Sequence, residues 1–532
     1  MSEAAVRQGG VTAVHAARLF NASCLALTSG AMMFAITSDI MGALKRQFIL
    51  SNEDVGWVMG IGGWGFTIAI FALGPLCDWL GMRRLMRFAF LSQSVGILMM
   101  IFATGFWTLA AGCVVNGLGS GAVEAVCNPL IATIYPDKKT HKLSQFHMWF
   151  PGGIVIGGLI AYLFSNIGLD SWQLKLAVVF LPTVAYGILL AREEFPATER
   201  VQSGVSFGGM VKETFLRPLF LVLLACMMLT ASLELGPNRW IPSVLQAGGI
   251  PGILVLVWIT GLMAVLRLFC GPVVRVLTNT GLLLLSAAVA GVGLFLLSFP
   301  ANIYMVGIIA TLFALGVCYF WPAMLGTVAE RVPKGGALAL AIIGGTGGLF
   351  VSTVTTPVMG WIADKYLHQE LVARSTVEGQ AVDREKETAA ALLMVDATYA
   401  GWAASLKDTP QDKVTRGEIQ EARDAVKEAL DSWQAKARLP AGLTASALRS
   451  AVKNGPPDGV ATGGTEVEKA ALAAKIRVAA ILNPADNKGG LMSFRYVAPV
   501  SIVLVVVFGV MFIQDRRRRP HAVNSGEAQA TA

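Results

Sequence analysis

The chain has 532 residues, 55% of them hydrophobic and 14% charged, and its mean hydropathy of +0.61 excludes an ordinary soluble protein of this length. The net charge of +8 does not point to nucleic acid, because Lys and Arg gather at the ends of apolar runs, where they report membrane topology. Seven cysteines, Cys24, Cys77, Cys113, Cys127, Cys226, Cys270 and Cys318, fall in or beside those runs as small buried hydrophobes, so neither a disulfide framework nor a metal site is expected.

The residues up to about Arg18 hold no short apolar core with a small-residue cleavage site, so the first span is expected to act as its own signal. Six apolar runs of the roughly 20 residues that a bilayer requires lie near 19–44, 55–78, 84–105, 107–135, 145–167 and 172–191. A charged, Pro- and Gly-punctuated stretch from Arg192 to Arg217 separates them from five more, near 218–245, 252–275, 281–299, 303–328 and 337–363, and a twelfth lies near 494–514. This predicts an all-α membrane protein of twelve transmembrane helices in two six-helix bundles. Its parts are a first bundle at 1–191, a linker at 192–217, a second bundle at 218–364 completed by 491–514, and a tail at 515–532.

Arg83, Arg84 and Arg87, Lys138, Lys139 and Lys142, Arg192 and Arg200, Arg331 and Lys334, and Arg516 to Arg519 all fall on one set of loops. That asymmetry predicts a plasma-membrane protein, in a bacterial inner membrane, with both termini cytoplasmic. Lys45 and Arg46 are the main exceptions. The two halves also echo each other: GPLCDWL from Gly74 resembles GPVVRVL from Gly271, and Asn128-Pro129 repeats as Trp321-Pro322 at nearly the same offset. Parallel repeats of this kind put a binding site near the midplane between halves.

Span four holds a carboxylate in an apolar run. Gly117, Gly121, Glu124 and Asn128 follow one another at helical steps and share a stripe. The glycines would admit a neighbouring helix closely, and Glu124 must face protein or water, since exposure to lipid costs about 2.5–3.5 kcal/mol on insertion scales.

Between spans eleven and twelve, residues 365–490 turn polar. Ile419, Ala422, Val426, Leu430 and Trp433 recur at helical spacing, a second helix is predicted from about Asp383 to Leu406, and Asn454–Gly464 reads as a loop. This predicts a small α-helical extracytoplasmic insertion, here called the cap. It has no Cys, His368 as its one histidine and no nucleophile arrangement, so no enzyme activity is expected.

Gly74, Asp78, Gly81, Arg83 and Arg84 stand at the spacing of the loop 2–3 signature of the major facilitator superfamily, which this chain resembles. The resemblance implies a cytoplasmic gate formed by these residues. Within span four, GxGxxExxxNP ending at Pro129 resembles the fucose-galactose-glucose:proton symporter family, as do Asp39 in span one and TPVMGWIAD at Thr356–Asp364. The resemblance implies proton-coupled uptake of a sugar or related polyol, with protons the coupling ion, no other cofactor, and Asp39 or Glu124 exchanging the proton. Span one departs from that family, with Ala35, Ile36, Thr37 and Ser38 before the acid.

Sugars are held by aromatic faces beside amides and carboxylates. Candidate contacts are Trp64, Trp149, Trp258, Tyr319 and Trp321 with Gln93, Asn116, Asn128 and Asn238. Glu234, Asn238, Arg239 and Trp240 cluster late in span seven, and Arg267 inside span eight needs a partner, for which Glu234 is the candidate. Either charge could instead meet an anionic solute. The glycine clusters of spans five and eleven, around Gly157 and Gly345, read as close helix packing. Rival readings are transport of another organic solute, including export, and a transporter-like receptor with a sensing cap that could engage an extracytoplasmic partner. A monomer is expected to suffice in the bilayer.

Overall fold

The computed structural model describes residues 7–8, 11–135, 139–196, 217–299, 302–332, 336–377 and 380–529. Among the described residues, eleven helical segments are long and apolar enough to cross a membrane, and the shorter apolar helix Gly252–Leu268 completes the twelve expected. They are numbered here as spans one to twelve in chain order. Most of the linker, residues 197–216, lies outside the described residues. Two short antiparallel hairpins, Arg7–Gln8 with Val11–Thr12 and Arg374–Val377 with Gln380–Asp383, are the departures from an all-helical chain.

Two boundaries differ from the hydropathy reading for local reasons. Span one occupies Val14–Asp39, and the chain then turns into a separate helix, Met41–Phe48, whose C-cap Ile49 is left-handed at φ 52°. Lys45 and Arg46 therefore sit on a short helix beyond the span. Spans eight and nine are joined by helix: Cys270–Leu297 follows Phe269 directly and breaks within itself at Thr278, φ 64°.

Small residues set the packing. In the first bundle a Cβ at Gly121 would lie 2.8 Å from Ala69 Cβ, and one at Gly117 would strike the Gly62 carbonyl and lie 3.1 Å from Phe66 N. The glycines of the span-four stripe thus serve span two. In span five, Gly153 and Gly157 press on span one, while a Cβ at Gly158 would come 2.5 Å from Val257 of span eight, across the two bundles. Span two and span eleven meet along a second seam. A Cβ at Gly56 would lie 2.5 Å from the Thr356 carbonyl, and Gly60 lies against Ser352. Opposite these glycines span eleven contains one π-turn, Val351–Thr355, just before Pro357. Proline supplies no N–H to the helix ladder, and the wider turn absorbs the mismatch.

The cap has its own core, with Leu392, Val395, Tyr399, Val426, Leu448 and Val478 among its buried residues. Its helices include Arg384–Ser405, Pro410–Lys436 and Ala441–Lys453, and a single helical turn, Val460–Gly463, interrupts the Asn454–Gly464 stretch. Ile419, Ala422, Val426 and Leu430 form the buried face of the second helix, with Trp433 at its margin. The cap is not a bead on two loops. Span eleven continues to Leu371, delivering Leu367 and Leu371 into the cap core, and Glu466–Val497 runs from the cap to the start of span twelve. The sequence boundaries at 365 and 490 fall inside these helices.

Because the atoms facing Gly117 are backbone and cannot swing aside, Gly117→Ala is expected to destabilise the purified protein by about 1–3 kcal/mol through overpacking. Thermal unfolding in detergent checks this against Gly152→Ala, where an added Cβ meets nothing within 4 Å and no loss is expected.

Candidate functional site

The two bundles are tied at the end that carries the cap. Span two begins at Asn52 with Ser51 as its N-cap, and Ser51 and Asp54 form a reciprocal capping box. The Asn52 and Glu53 N–H groups are in the first turn, where no intrahelical acceptor exists. Both donate to one carboxylate of the other bundle: Asp364 of span eleven accepts from Asn52 N at 3.0 Å and from Glu53 N at 2.8 Å. The Asn52 amide adds a bond to Asp364 at 3.0 Å and another to Asp486 at 2.9 Å.

Lys45 completes the cluster. It pairs with Asp486 and donates to Asn52 Oδ1 at 2.9 Å. From the cap, the almost fully buried Arg449 lies 3.5 Å from both Asp364 and Asp486. Two cations and two carboxylates here join span two, span eleven, the helix leading to span twelve and the cap. Burial pushes the Lys45 ammonium below its usual range in spite of Asp486 beside it. Close approach is again made by glycine, since Gly489 lies against Ala363 of span eleven and carries Asp486 toward Lys45.

Along span two the contact with the other bundle continues inward and then lapses. Trp64 Nε1 donates to Thr353 Oγ1 at 2.9 Å, and Thr67 Oγ1 to the Gly345 carbonyl at 3.1 Å. At Gly74, nearer the opposite end, an added Cβ would meet nothing within 4 Å. Of the other residues of that motif, Gly81 turns the chain at φ 81°, Arg83 donates to the Ala191 carbonyl at 3.2 Å, and Arg84 is exposed. The Asp78 side chain lies outside the described residues.

Glu124 sits deeper along span four with an unforeseen partner. Asn128 Nδ2 donates to Glu124 Oε2 at 2.9 Å, and Asn128 Oδ1 lies 3.0 Å from His147 Nε2. A carboxylate accepts only, which fixes the amide orientation and makes His147 Nε2 the donor. The other ring nitrogen, Nδ1, then faces Glu124 Oε1 at 4.0 Å. Both groups bind protons, and Asn128 holds them in register. His147 stands at the entry to span five in QFHMWFPGG, and its one sequence signal was a titratable residue beside a membrane span.

Asp39 is held within the first bundle. Lys175 of span six donates to it at 2.8 Å and also binds Asp170 and Ser165, each at 2.7 Å. At Asp170, burial is outweighed by the Lys175 and Ser165 bonds, which hold the carboxylate below its usual range. In the second bundle Arg267 donates to Glu234 at 3.1 Å and to the Cys318 carbonyl at 2.9 Å, while Glu234 Oε2 has no partner among the described residues.

The remaining candidates divide. Trp64 crosses the seam, and Trp321 packs beside Gly344. Asn238 is buried with Oδ1 unmet among the described residues. Gln93 instead bridges Tyr186 at 2.8 Å and Ser120 at 3.3 Å within the first bundle, and Asn116 packs on Gly96. Tyr319 donates to the Leu266 carbonyl at 2.9 Å inside the second bundle. Trp258 is 52% exposed and bonded to Thr311, and Trp149 is 39% exposed.

Two helical bundles joined at one end, with carboxylates and a histidine set among apolar spans, define a multi-pass membrane protein of the paired-bundle class. The chain belongs to the Major Facilitator Superfamily, whose family profile matches residues 19–354. It is 28% identical over 158 residues to a D-xylose transporter of Levilactobacillus brevis, covering 29% of this chain and 34% of that one. To a gentisate transporter of Corynebacterium glutamicum it is 23% identical over 169 residues, 31% of this chain and 37% of the other. The chain thus matches about a third of the length of these curated relatives. Among solved structures, a bacterial homologue of the human lysosomal transporter Spinster aligns at TM-score 0.59 and 14% identity, covering 94% of this chain and 98% of that one.

Replacing Asp364 by Ala strips the first turn of span two of its acceptor and leaves buried donors unmet, a cost of about 1–3 kcal/mol. The cap-end seam is then expected to loosen, lengthening the distance between spin labels placed at the exposed positions Arg46 and Lys488. An unchanged distance distribution would show that the carboxylate does not hold the seam.

Proposed function

We propose that the chain is a proton-coupled importer of a sugar or related polyol, working by alternating access in a bacterial inner membrane. In this reading the cap lies outside, both termini lie in the cytoplasm, and the structure is the state closed to the exterior by Asp364, Asp486, Lys45 and Asn52. The superfamily membership and the similarity to a D-xylose transporter support solute transport. A monomer contains both bundles and suffices.

The observation that carries proton coupling is the Glu124–Asn128–His147 arrangement. With His147 Nε2–H committed to Asn128, a proton arriving at this site goes either to Glu124, which becomes neutral, or to His147 Nδ1, which then faces the carboxylate as a cation. Rocking of the bundles changes the water access of the pair and so its proton occupancy. Asp39 has a different part. It cannot take a proton without giving up the ammonium of Lys175, so its exchange is tied to movement between spans one and six.

Glu124→Gln is expected to abolish pH-gradient-driven accumulation in proteoliposomes while solute exchange without a gradient persists. Asp39→Asn is expected to lower both, because it also frees Lys175. Hexoses, deoxyhexoses, disaccharides and sugar acids form the screening panel. Undiminished gradient-driven accumulation in Glu124→Gln would remove that carboxylate from coupling, and movement of another solute with no carbohydrate competing would overturn the sugar reading. His147→Gln is expected to lower pH-gradient-driven accumulation, read as initial uptake rates, because Asn128 then loses the imidazole donor that holds it against Glu124.

A second reading, import or export of another organic solute, draws on the similarity to a gentisate transporter. A receptor with a sensing cap would bind solute with no saturable flux, which the same vesicles would reveal.

A further inference from the structure

Arg239, late in span seven, reaches across the seam to the other bundle. Its Nη1 donates to Thr37 Oγ1 of span one at 3.2 Å, and its guanidinium carbon stands 4.0 Å over the Phe34 ring, which itself packs edge-on against Phe150. Thr37 is the one acceptor that meets its five N–H groups among the described residues, and both neighbours are electrically neutral. The carboxylates on the two helices concerned are already taken, Glu234 by Arg267 and Asp39 by Lys175. Arg239 is half-buried, so part of its fork remains open toward the space between the bundles.

An arginine with no counter-charge is costly inside a bilayer, and structural arginines there are paired, as Arg267 is. We infer that the missing partner is the solute, and that Arg239 is the anchor for a carboxylate on a small polyhydroxylated acid, an aldonate or uronate. This deepens the proposed transport of a sugar-like solute and rests on that reading. The planar fork accepts a carboxylate through two parallel bonds, which a hydroxyl cannot match. Asn238 Oδ1, one residue before the arginine, has no partner among the described residues and can receive a solute hydroxyl. Arg239 belongs to one bundle and Thr37 to the other, so a carboxylate held here sits where their separation changes during transport.

The test compares matched pairs differing at one carbon, glucuronate with glucose and gluconate with sorbitol, on the purified full-length protein. Ligand-induced thermal stabilisation and competition in proteoliposome uptake are the readouts. At least one acid is expected to act at tenfold or more lower concentration than its neutral partner. In Arg239→Gln that preference is expected to fall at least tenfold, and Arg239→Lys, which keeps charge without the fork, should retain part of it. Neutral members binding as tightly as the acids, or a full acid preference in Arg239→Gln, would overturn the inference while leaving sugar transport standing. Failure of all four compounds to bind or move, while another solute is carried, would overturn the transport reading and this inference together. If Arg239→Gln does not fold, the acid preference in Arg239→Lys decides: equality with the unaltered protein overturns the anchor.

Discussion

The rest of the structure depends on a helix N-terminus that cannot satisfy itself. Span two opens with N–H groups that no earlier turn can accept, and the acceptor comes from Asp364, 312 residues further along the chain. A helix end carries partial positive charge, so a carboxylate there is both a hydrogen-bond acceptor and a counter-charge. Around it the glycine ladder of Gly56 and Gly60 brings the two backbones close enough for side chains this short to reach. The seam joins apolar spans along its length and concentrates its polar contacts at one end.

Glycine approach and buried charge play different parts in the two bundles. Gly117 and Gly121 fix span four on span two, placing Glu124 one or two turns further on where Asn128 and His147 meet it. Gly153 and Gly157 fix span five on span one, which ends at Asp39 and its Lys175 pair. Contacts of this kind hold the helices of each bundle together. Lys45, Arg449, Asp364 and Asp486 mark where the bundles touch one another, while Asp39–Lys175 and Glu234–Arg267 neutralise their charges inside one bundle each.

Much of this was legible in the residue order. Twelve apolar runs, the echo of Gly74 in Gly271, and an acid inside span four followed from composition and period alone, since a bilayer imposes length and helicity on whatever crosses it. The Glu234–Arg267 proximity was reachable because so few partners exist for a buried arginine. The polar cluster at the cap end of the seam was not. Asp486 and Arg449 look like ordinary polar residues of cap helices, and their partners lie on helices brought together only by the fold. Lys45 looked like an exception to the topology rule for the same reason, and its ion pair with Asp486 gives it a counter-charge. The partners of Gln93 and Trp258 were not legible either, because a polar or aromatic residue in a span carries no mark of the direction it faces. Hydropathy likewise could not show that the insertion is helical up to both of its roots.

That last feature turns the cap into a lever. The Glu466–Val497 helix has 32 residues, about 48 Å at 1.5 Å per residue, and it enters the last span at one end and the cap core at the other. A tilt of about 10° at its root would sweep its far end by about 8 Å, simple trigonometry on that length. A tilt of that size at the root would therefore be magnified at the cap into a displacement several times larger than the shift among the spans that caused it.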